Sequence, residues 1–200
     1  MAHYTGPKNR LSRREGVDLF GRGNKLRRAT QTPGQHGPKG SKRHLSGFGV
    51  QLREKQKTKR LYGIMEKQFR KYFEKAAKTR GATGEKLLQI LETRLDNTVY
   101  RLGFVPTRAM ARQIVGHGHI LVNGEKLNIP SYQVQEGDVV SLHESIQINP
   151  VIKARLDTAE IATPDWLERK GTVGKVLSLP ARHHIDSQID EQLIVEYYSR

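Results

Sequence analysis

The 200-residue sequence has no cysteine, a hydrophobic fraction of 36% and a formal net charge of +15, which leaves room for a modest core and excludes disulfides and thiolate-bound metal sites. Residues 1–60 carry 16 Lys and Arg against 3 Asp and Glu, so we expect a polyanionic partner, nucleic acid first and an anionic membrane surface second, to bind mainly the first 120 residues. The sequence has no secretory signal and no run of about 20 apolar residues, so we expect a cytoplasmic protein.

Residues 1–48 are rich in glycine and proline and show no hydrophobic period. Such a segment cannot offset its own ordering entropy, so we expect a basic extension that folds fully only against a partner. Within it, Leu11–Phe20 is predicted to form a helical turn with Ser12 as its N-cap.

Two helices are predicted next, at Leu52–Tyr62 and at Glu66–Thr79. In the second, Phe69, Tyr72 and Phe73 recur at helical spacing. This spacing favours a role in the core, and stacking of these rings on RNA bases is the alternative.

A long amphipathic helix is predicted over Glu85–Leu102, where leucines and Val99 form one apolar stripe that Gly103 ends. Arg94 and Arg101 lie on a different face of this helix, and Asp96 is placed to orient one of them.

Thr107 is a natural N-cap for a short helix that ends near Val115, and Arg108 and Arg112 share its outward face. Asn123-Gly124 then predicts a tight hairpin. The hairpin would hold His117, His119, Asn123 and Lys126 beside the helix. Guanidinium groups and small polar donors together are suited to a phosphate backbone. A solvated helix face is the alternative.

The remaining sequence predicts a strand at Asp138–His143, a helix from Pro150 to Ala162 and a loop around Pro164, Trp166 and Gly171. A short strand at Val173–Leu177 and an apolar element at Leu193–Tyr198 follow. Helices combined with a small antiparallel sheet make an α+β protein.

Several motifs together resemble the family of bacterial small-subunit ribosomal protein number four. The segment from Arg94-Leu95-Asp96 to Val140 resembles the alpha-L RNA-binding module, two helices followed by a small antiparallel sheet. The flanks TPGQHG (Thr32–Gly37), Gly49–Lys57, Tyr62-Gly63 and Glu191–Arg200 extend the resemblance over the whole chain.

This resemblance implies a basic extension at 1–48, a helical domain at 49–92 completed by 165–200, and the alpha-L domain at 93–164. It implies a structural ribosomal component that binds the 5′ domain of small-subunit ribosomal RNA early in assembly and contributes to translational accuracy. It also implies a place on the channel through which messenger RNA enters, next to ribosomal proteins three and five. Some members bind zinc through four cysteines in the extension, and this chain lacks them.

The predicted RNA-binding residues are basic or small polar residues of the extension, the helices and the hairpin: Arg10, Arg13, Arg14, Arg22, Lys25, Arg53, Lys57, Arg70, Arg94, Arg101, Thr107, Arg108, Arg112, Gln113, His117, His119, Asn123 and Lys126. By the resemblance, Lys39, Lys42 and Arg43 are the residues predicted to face messenger RNA. We expect no cofactor and no metal.

Other classes of protein are less consistent with the sequence. An RNA-modifying enzyme built on the alpha-L module needs a further catalytic domain, for which the matched segments leave no room. A small RNA chaperone would lack the extension and the C-terminal element. The glycine-lysine segments at Gly81–Lys86 and Gly171–Lys175 lack the spacing of a phosphate loop. The pairs His117/His119 and His183/His184 have no third metal ligand beside them in the sequence.

Overall fold

A computed structural model describes residues 4–21, 23, 31–37, 45–157, 163–185 and 188–199. The chain divides into two units, residues 1–84 with 187–200, and residues 85–186. The helices are α1 (Lys8–Glu15), α2 (Gly47–Leu61), α3 (Glu66–Ala77), α4 (Thr83–Glu92), α5 (Leu95–Arg101), α6 (Arg108–Gly116), α7 (Glu144–Gln147), α8 (Pro150–Asp157) and α9 (Glu191–Tyr198). The strands are β1 (Ile120–Val122), β2 (Glu125–Lys126), β3 (Val139–Leu142), β4 (Leu167–Lys170) and β5 (Val173–Val176).

Helix α1 begins earlier than the sequence indicated. Pro7 is its N-cap residue, and Gly16 ends it with a positive φ of 71°. Ser12 therefore lies inside the helix and is buried, and its hydroxyl accepts a hydrogen bond from the Leu19 amide at 3.4 Å. The prediction of Ser12 as an N-cap was wrong, because the helix already begins at Lys8, one turn earlier.

The first unit is built around α2, α3 and α9. Phe69, Tyr72 and Ala76 form the buried face of α3. The ring of Tyr198 stacks on those of Phe69 and Phe73, with ring centroids 6.2 and 4.6 Å apart. The aromatic residues of α3 thus contribute to a core, as the sequence favoured.

The second unit contains an antiparallel sheet with strand order β2-β1-β3-β5-β4. The hairpin predicted at Asn123-Gly124 is confirmed: both residues have positive φ, 52° and 86°, as a two-residue hairpin turn needs. The core beneath the sheet includes Trp166, Ile120 and Val140, all fully buried. Helices and a small antiparallel sheet confirm the α+β class.

The helix predicted over Glu85–Leu102 is instead two helices, α4 and α5, interrupted at residues 93 and 94. The backbone here pairs with a distant segment. The amides of Leu95 and Val134 donate to the carbonyls of Tyr132 and Thr93 at 2.8 and 2.9 Å, and Arg94 forms an isolated bridge with Gln133. The leucine stripe continues across the interruption, since Leu91 of α4 and Leu95 and Val99 of α5 are all fully buried.

The hairpin of β4 and β5 belongs to the second unit, since β5 pairs with β3. Residues 165–200 were predicted to complete the helical domain, but β4 and β5 within this range extend the sheet of the second unit instead. Within residues 165–200, helix α9 is the part that packs against α2 in the first unit. Residues 158–162 of the helix predicted at 150–162 lie outside the described residues.

Candidate RNA-binding surface

Asp96 of α5 binds two arginines at once. The guanidinium of Arg94 donates to both carboxylate oxygens of Asp96, at 3.0 and 2.5 Å. Arg112 of α6 donates to the same carboxylate at 3.4 Å. Arg94 is only 2% exposed, so the prediction that it contacts RNA is corrected: its role is to neutralise and orient Asp96.

Glu92 binds a second set of polar side chains. Its carboxylate accepts two hydrogen bonds from Arg101, at 2.9 and 2.7 Å, and one from the Asn97 amide at 2.7 Å. The Asn97 carbonyl oxygen accepts from Arg108 Nε at 2.8 Å. The Arg108 guanidinium also lies 4.5 Å from the centre of the Tyr100 ring.

These two carboxylates hold the arginines in place before any ligand arrives. Arg101 and Arg112 keep about a fifth of their side chains exposed, 21% and 20%. Ordering a long arginine side chain on binding costs about 0.5–1.5 kcal/mol. Because these side chains are already ordered in the free protein, most of that cost does not arise when RNA binds. The arrangement therefore suits recognition of a fixed RNA shape.

Helix α6 places further polar groups at the same surface. The Thr107 hydroxyl caps it by accepting from the Met110 amide at 3.2 Å, which confirms the predicted N-cap. Gln113 is exposed on the helix. The buried residues Ala111, Ile114 and Val115 fix the opposite face in the core.

The hairpin contributes Lys126, which is exposed, whereas Asn123 has an internal role. The Asn123 amide donates to Asp138 at 2.8 Å, and its carbonyl oxygen accepts from the Val139 amide at 2.9 Å. Asn123 thus fixes the turn while remaining exposed, and its predicted contact with RNA stays a prediction. His117 is exposed and His119 half-buried, with ring centroids 6.1 Å apart.

In the first unit, the predicted arginines of α1 and α2 differ in their surroundings. Arg10 and Arg14 are exposed, whereas Arg13 donates to the carbonyls of Gln31 and Thr32 at 3.0 and 3.2 Å.

Arg53 and Arg60 both donate to the buried carboxylate of Glu15. Burial raises the pKa of Glu15, and the two arginines oppose that rise. Arg53 therefore ties α1 to α2 as well as carrying charge.

Lys57 and Arg70 complete the predicted set in this unit. Lys57 pairs with Glu54 at 2.8 Å and donates to the Gln188 carbonyl. Arg70 is 71% exposed and pairs with Glu74 at 3.2 Å, an exposed pair that leaves the guanidinium accessible.

The sequence analysis missed the exposed lysines of α3 and the residues just after it. Lys67, Lys71, Lys75 and Lys78 are exposed, on the side opposite the aromatic residues. Their spacing of four, four and three residues places them on one helix face. That spacing was the available signal, and the predictions included only Arg70 from this helix.

Five predicted residues, Arg22, Lys25, Lys39, Lys42 and Arg43, lie outside the described residues. Within the described ranges, no group of three or more His, Asp or Glu side chains could hold a metal ion. His184 approaches Asp165 at 3.9 Å, and its ring centroid lies 3.9 Å from that of His183. No helix in the described part of the chain is long and apolar enough to cross a membrane.

Comparison with known proteins covers both units. Residues 3–92 match the family described as ribosomal protein S4/S9 N-terminal domain, and residues 93–140 match the S4 domain. The small ribosomal subunit protein uS4 of Dictyoglomus turgidum is 54% identical over 209 residues, with all of both chains covered. The chain belongs to the uS4 family.

Other uS4 proteins give the same result. The uS4A protein of Symbiobacterium thermophilum is 53% identical over 210 residues, and the uS4 protein of Akkermansia muciniphila is 50% identical over 203 residues. Both matches cover all of each chain. The resemblance to the ribosomal protein family seen in the sequence is confirmed, and the S4 match includes α5, α6 and the hairpin that carry the arginines and Lys126.

Proposed function

We propose that this protein is a structural component of the small ribosomal subunit that binds the 5′ domain of its ribosomal RNA and nucleates assembly there. The main support is the full-length relationship to uS4 proteins. The arginines of the second unit supply a physical mechanism. Carboxylates hold Arg101 and Arg112, and the side-chain oxygen of Asn97 holds Arg108, before RNA arrives.

Recognition would be by shape and charge. Partly exposed guanidinium groups can bind phosphates through two hydrogen bonds or stack on an unpaired base. Arg10, Arg14 and the lysines of α3 would add phosphate contacts from the first unit. Because most of these groups carry no base-specific geometry, affinity should depend steeply on salt.

The test is binding of the full chain to a fragment of the 5′ domain, beside a generic RNA duplex, over a range of salt concentrations. We expect tighter binding to the fragment. Arg108→Ala and Arg112→Ala should each weaken it and reduce the salt slope by about one. Lys170→Ala is the matched control, because Lys170 is an exposed cation on β4, at the sheet edge opposite β2. Equal binding to both RNAs, or an unchanged slope in both arginine variants, would contradict the proposal.

We further propose that Lys39, Lys42 and Arg43 face messenger RNA in the channel through which it enters, beside ribosomal proteins three and five, and contribute to accuracy. The support is the family relationship and the basic sequence that follows TPGQHG. Alanine at all three positions should slow translation through a structured messenger in reconstituted subunits, while binding to the 5′-domain fragment stays unchanged. Normal progress through that messenger would refute this role.

A further inference from the structure

Three histidines and a lysine lie together in the second unit, where α6 ends and the hairpin begins. His117 follows α6, His119 precedes β1, His143 follows β3 and Lys126 lies on β2. The hydroxyl of Ser145 lies 3.3 Å from His119 Nδ1 and 2.8 Å from His143 Nδ1. These hydrogen bonds fix the two rings and direct the Nε2 atom of each away from Ser145.

A shallow depression adjoins this group. It is lined by Gly116, His117, Gly118, Lys126 and Asn128. Gly118 has a φ of 71°, and a Cβ atom there would lie 2.7 Å from Lys126 Cε. The absence of a side chain at Gly118 therefore lets the lysine stem lie against the backbone and places its ammonium group beside the depression.

The charges around His119, beside this depression, differ from those around the arginines. The arginines Arg101 and Arg112 each have a carboxylate partner. The charged groups that act on His119 from its neighbouring elements are His117, Lys126 and His143, and none of them is a carboxylate. Burial and these three basic neighbours lower the pKa of His119. An anion placed among the four groups would reverse the effect of the neighbours and favour the charged imidazole.

We propose that this cluster is a phosphate-binding site for RNA, in which His117 and His119 take up protons from solvent as a backbone phosphate enters between them and Lys126. The site deepens the RNA-binding function proposed above and rests on it. Histidine is the side chain whose ordinary pKa allows such uptake near neutral pH. RNA affinity should therefore rise as the pH falls from 8 to 6, by up to about tenfold per pH unit for each proton taken up.

The first experiment measures the affinity of the full chain for the 5′-domain RNA fragment at pH 6, 7 and 8 and constant salt. The double variant His117→Gln and His119→Gln should lose most of the change in affinity between pH 8 and pH 6. The variant His117→Lys and His119→Lys carries fixed charge and should bind tightly with little dependence on pH. The matched control, His183→Gln with His184→Gln, removes a histidine pair that has Asp165 beside it. Its RNA affinity should change with pH as that of the wild type does.

A pH dependence as large in the glutamine double variant as in the wild type, or a wild-type affinity that does not change with pH, would overturn the proposed site. Because the variants require folded protein, NMR titration of the wild type is the second measurement. The pKa of His119 should rise when RNA binds, and an unchanged value would overturn the proposal. Absence of specific RNA binding at every pH would instead refute the proposed function itself.

Discussion

The hydroxyl of Tyr198 donates a hydrogen bond of 2.8 Å to Glu66, 132 residues earlier in the chain. Lys55 and Lys59 also donate to this carboxylate, each at 2.9 Å. Burial opposes ionisation of Glu66, but these three hydrogen bonds outweigh it and lower its pKa to about 2. Burial, and then the bond to Glu66, raises the pKa of Tyr198. The last helix is thus joined to α2 and α3 by a polar cluster as well as by stacked rings.

The lowered pKa predicts how acid affects stability. The ionised Glu66 stabilises the folded chain fully above its ordinary pKa of 4.5, and this contribution is lost as the pH falls to about 2. Glu66→Gln should lower the free energy of unfolding at pH 7 by about 1 kcal/mol, a modest value because 45% of the side chain is exposed and water screens the charges.

Urea unfolding at pH 7, 3.5 and 2 measures this effect, and the gap between wild type and variant should narrow below pH 4.5. Glu74→Gln is the control: its pair with Arg70 is exposed on both sides, so the change should stay within about 0.5 kcal/mol. A gap for Glu66→Gln that is constant with pH would be inconsistent with the assigned pKa.

Two arginines that share Asp96 should behave differently when replaced. Arg94→Ala removes the buried partner of a buried carboxylate and should destabilise the protein by about 3 kcal/mol. Arg112→Ala should cost about 1 kcal/mol or less, because Arg112 is partly exposed and its contact is longer, 3.4 Å. Urea unfolding distinguishes the two variants. Similar losses of stability would contradict the division between a buried arginine that orients Asp96 and a partly exposed one that we propose to bind RNA.

Asn123 offers a test of a turn residue that the sequence alone assigned to RNA. Asn123→Gly keeps the positive φ but loses the bonds to Asp138 and Val139, which should cost about 1–2 kcal/mol. Asn123→Ala adds the strain of a left-handed conformation and should cost about 1 kcal/mol more. Thermal unfolding gives both values. RNA binding by the folded glycine variant within about twofold of the wild type would show that the side chain serves the turn alone, and a larger loss would support a contact with RNA.

Two glycines of the second unit should respond oppositely to alanine. A Cβ atom at Gly174 would lie 2.5 Å from the side chain of Leu102, which is fully buried, so Gly174→Ala should destabilise by about 1–3 kcal/mol. Nothing lies within 4 Å of a Cβ at Gly116 in α6, so Gly116→Ala should be neutral or stabilise by up to about 1 kcal/mol. Thermal unfolding of both variants checks the pair, and equal effects would refute the close contact at Gly174.

Hydrophobic period and turn chemistry were enough to predict α3, α6 and the Asn123-Gly124 hairpin, because each has a local signal that nothing else in the sequence opposes. The interruption between α4 and α5 could not be predicted in this way. The apolar stripe runs without a gap through Leu91, Leu95 and Val99, and the helix ends because residues 93–96 pair with residues 130–134. That pairing depends on a contact between distant parts of the chain.

In the candidate site, too, local signals could be predicted from the sequence and contacts between distant residues could not. Spacing correctly placed Arg108 and Arg112 on one face of α6, since both reach polar partners on α5. Spacing could not show that Arg94 is buried and Arg101 partly exposed, because their burial depends on where the helix is interrupted. Asn123 was likewise assigned by its type, and only the positions of Asp138 and Val139 reveal that its side chain is used within the turn.

The two units differ in how their residues are distributed along the chain. Residues 85–186 form a contiguous segment, whereas the first unit takes α9 from the residues that follow it. Because α2 and α9 pack together, the core of the first unit can close only after residues 188–199 have left the translating ribosome. The second unit has by then been synthesised in full. During translation it can therefore fold before α9 is available to pack against α2.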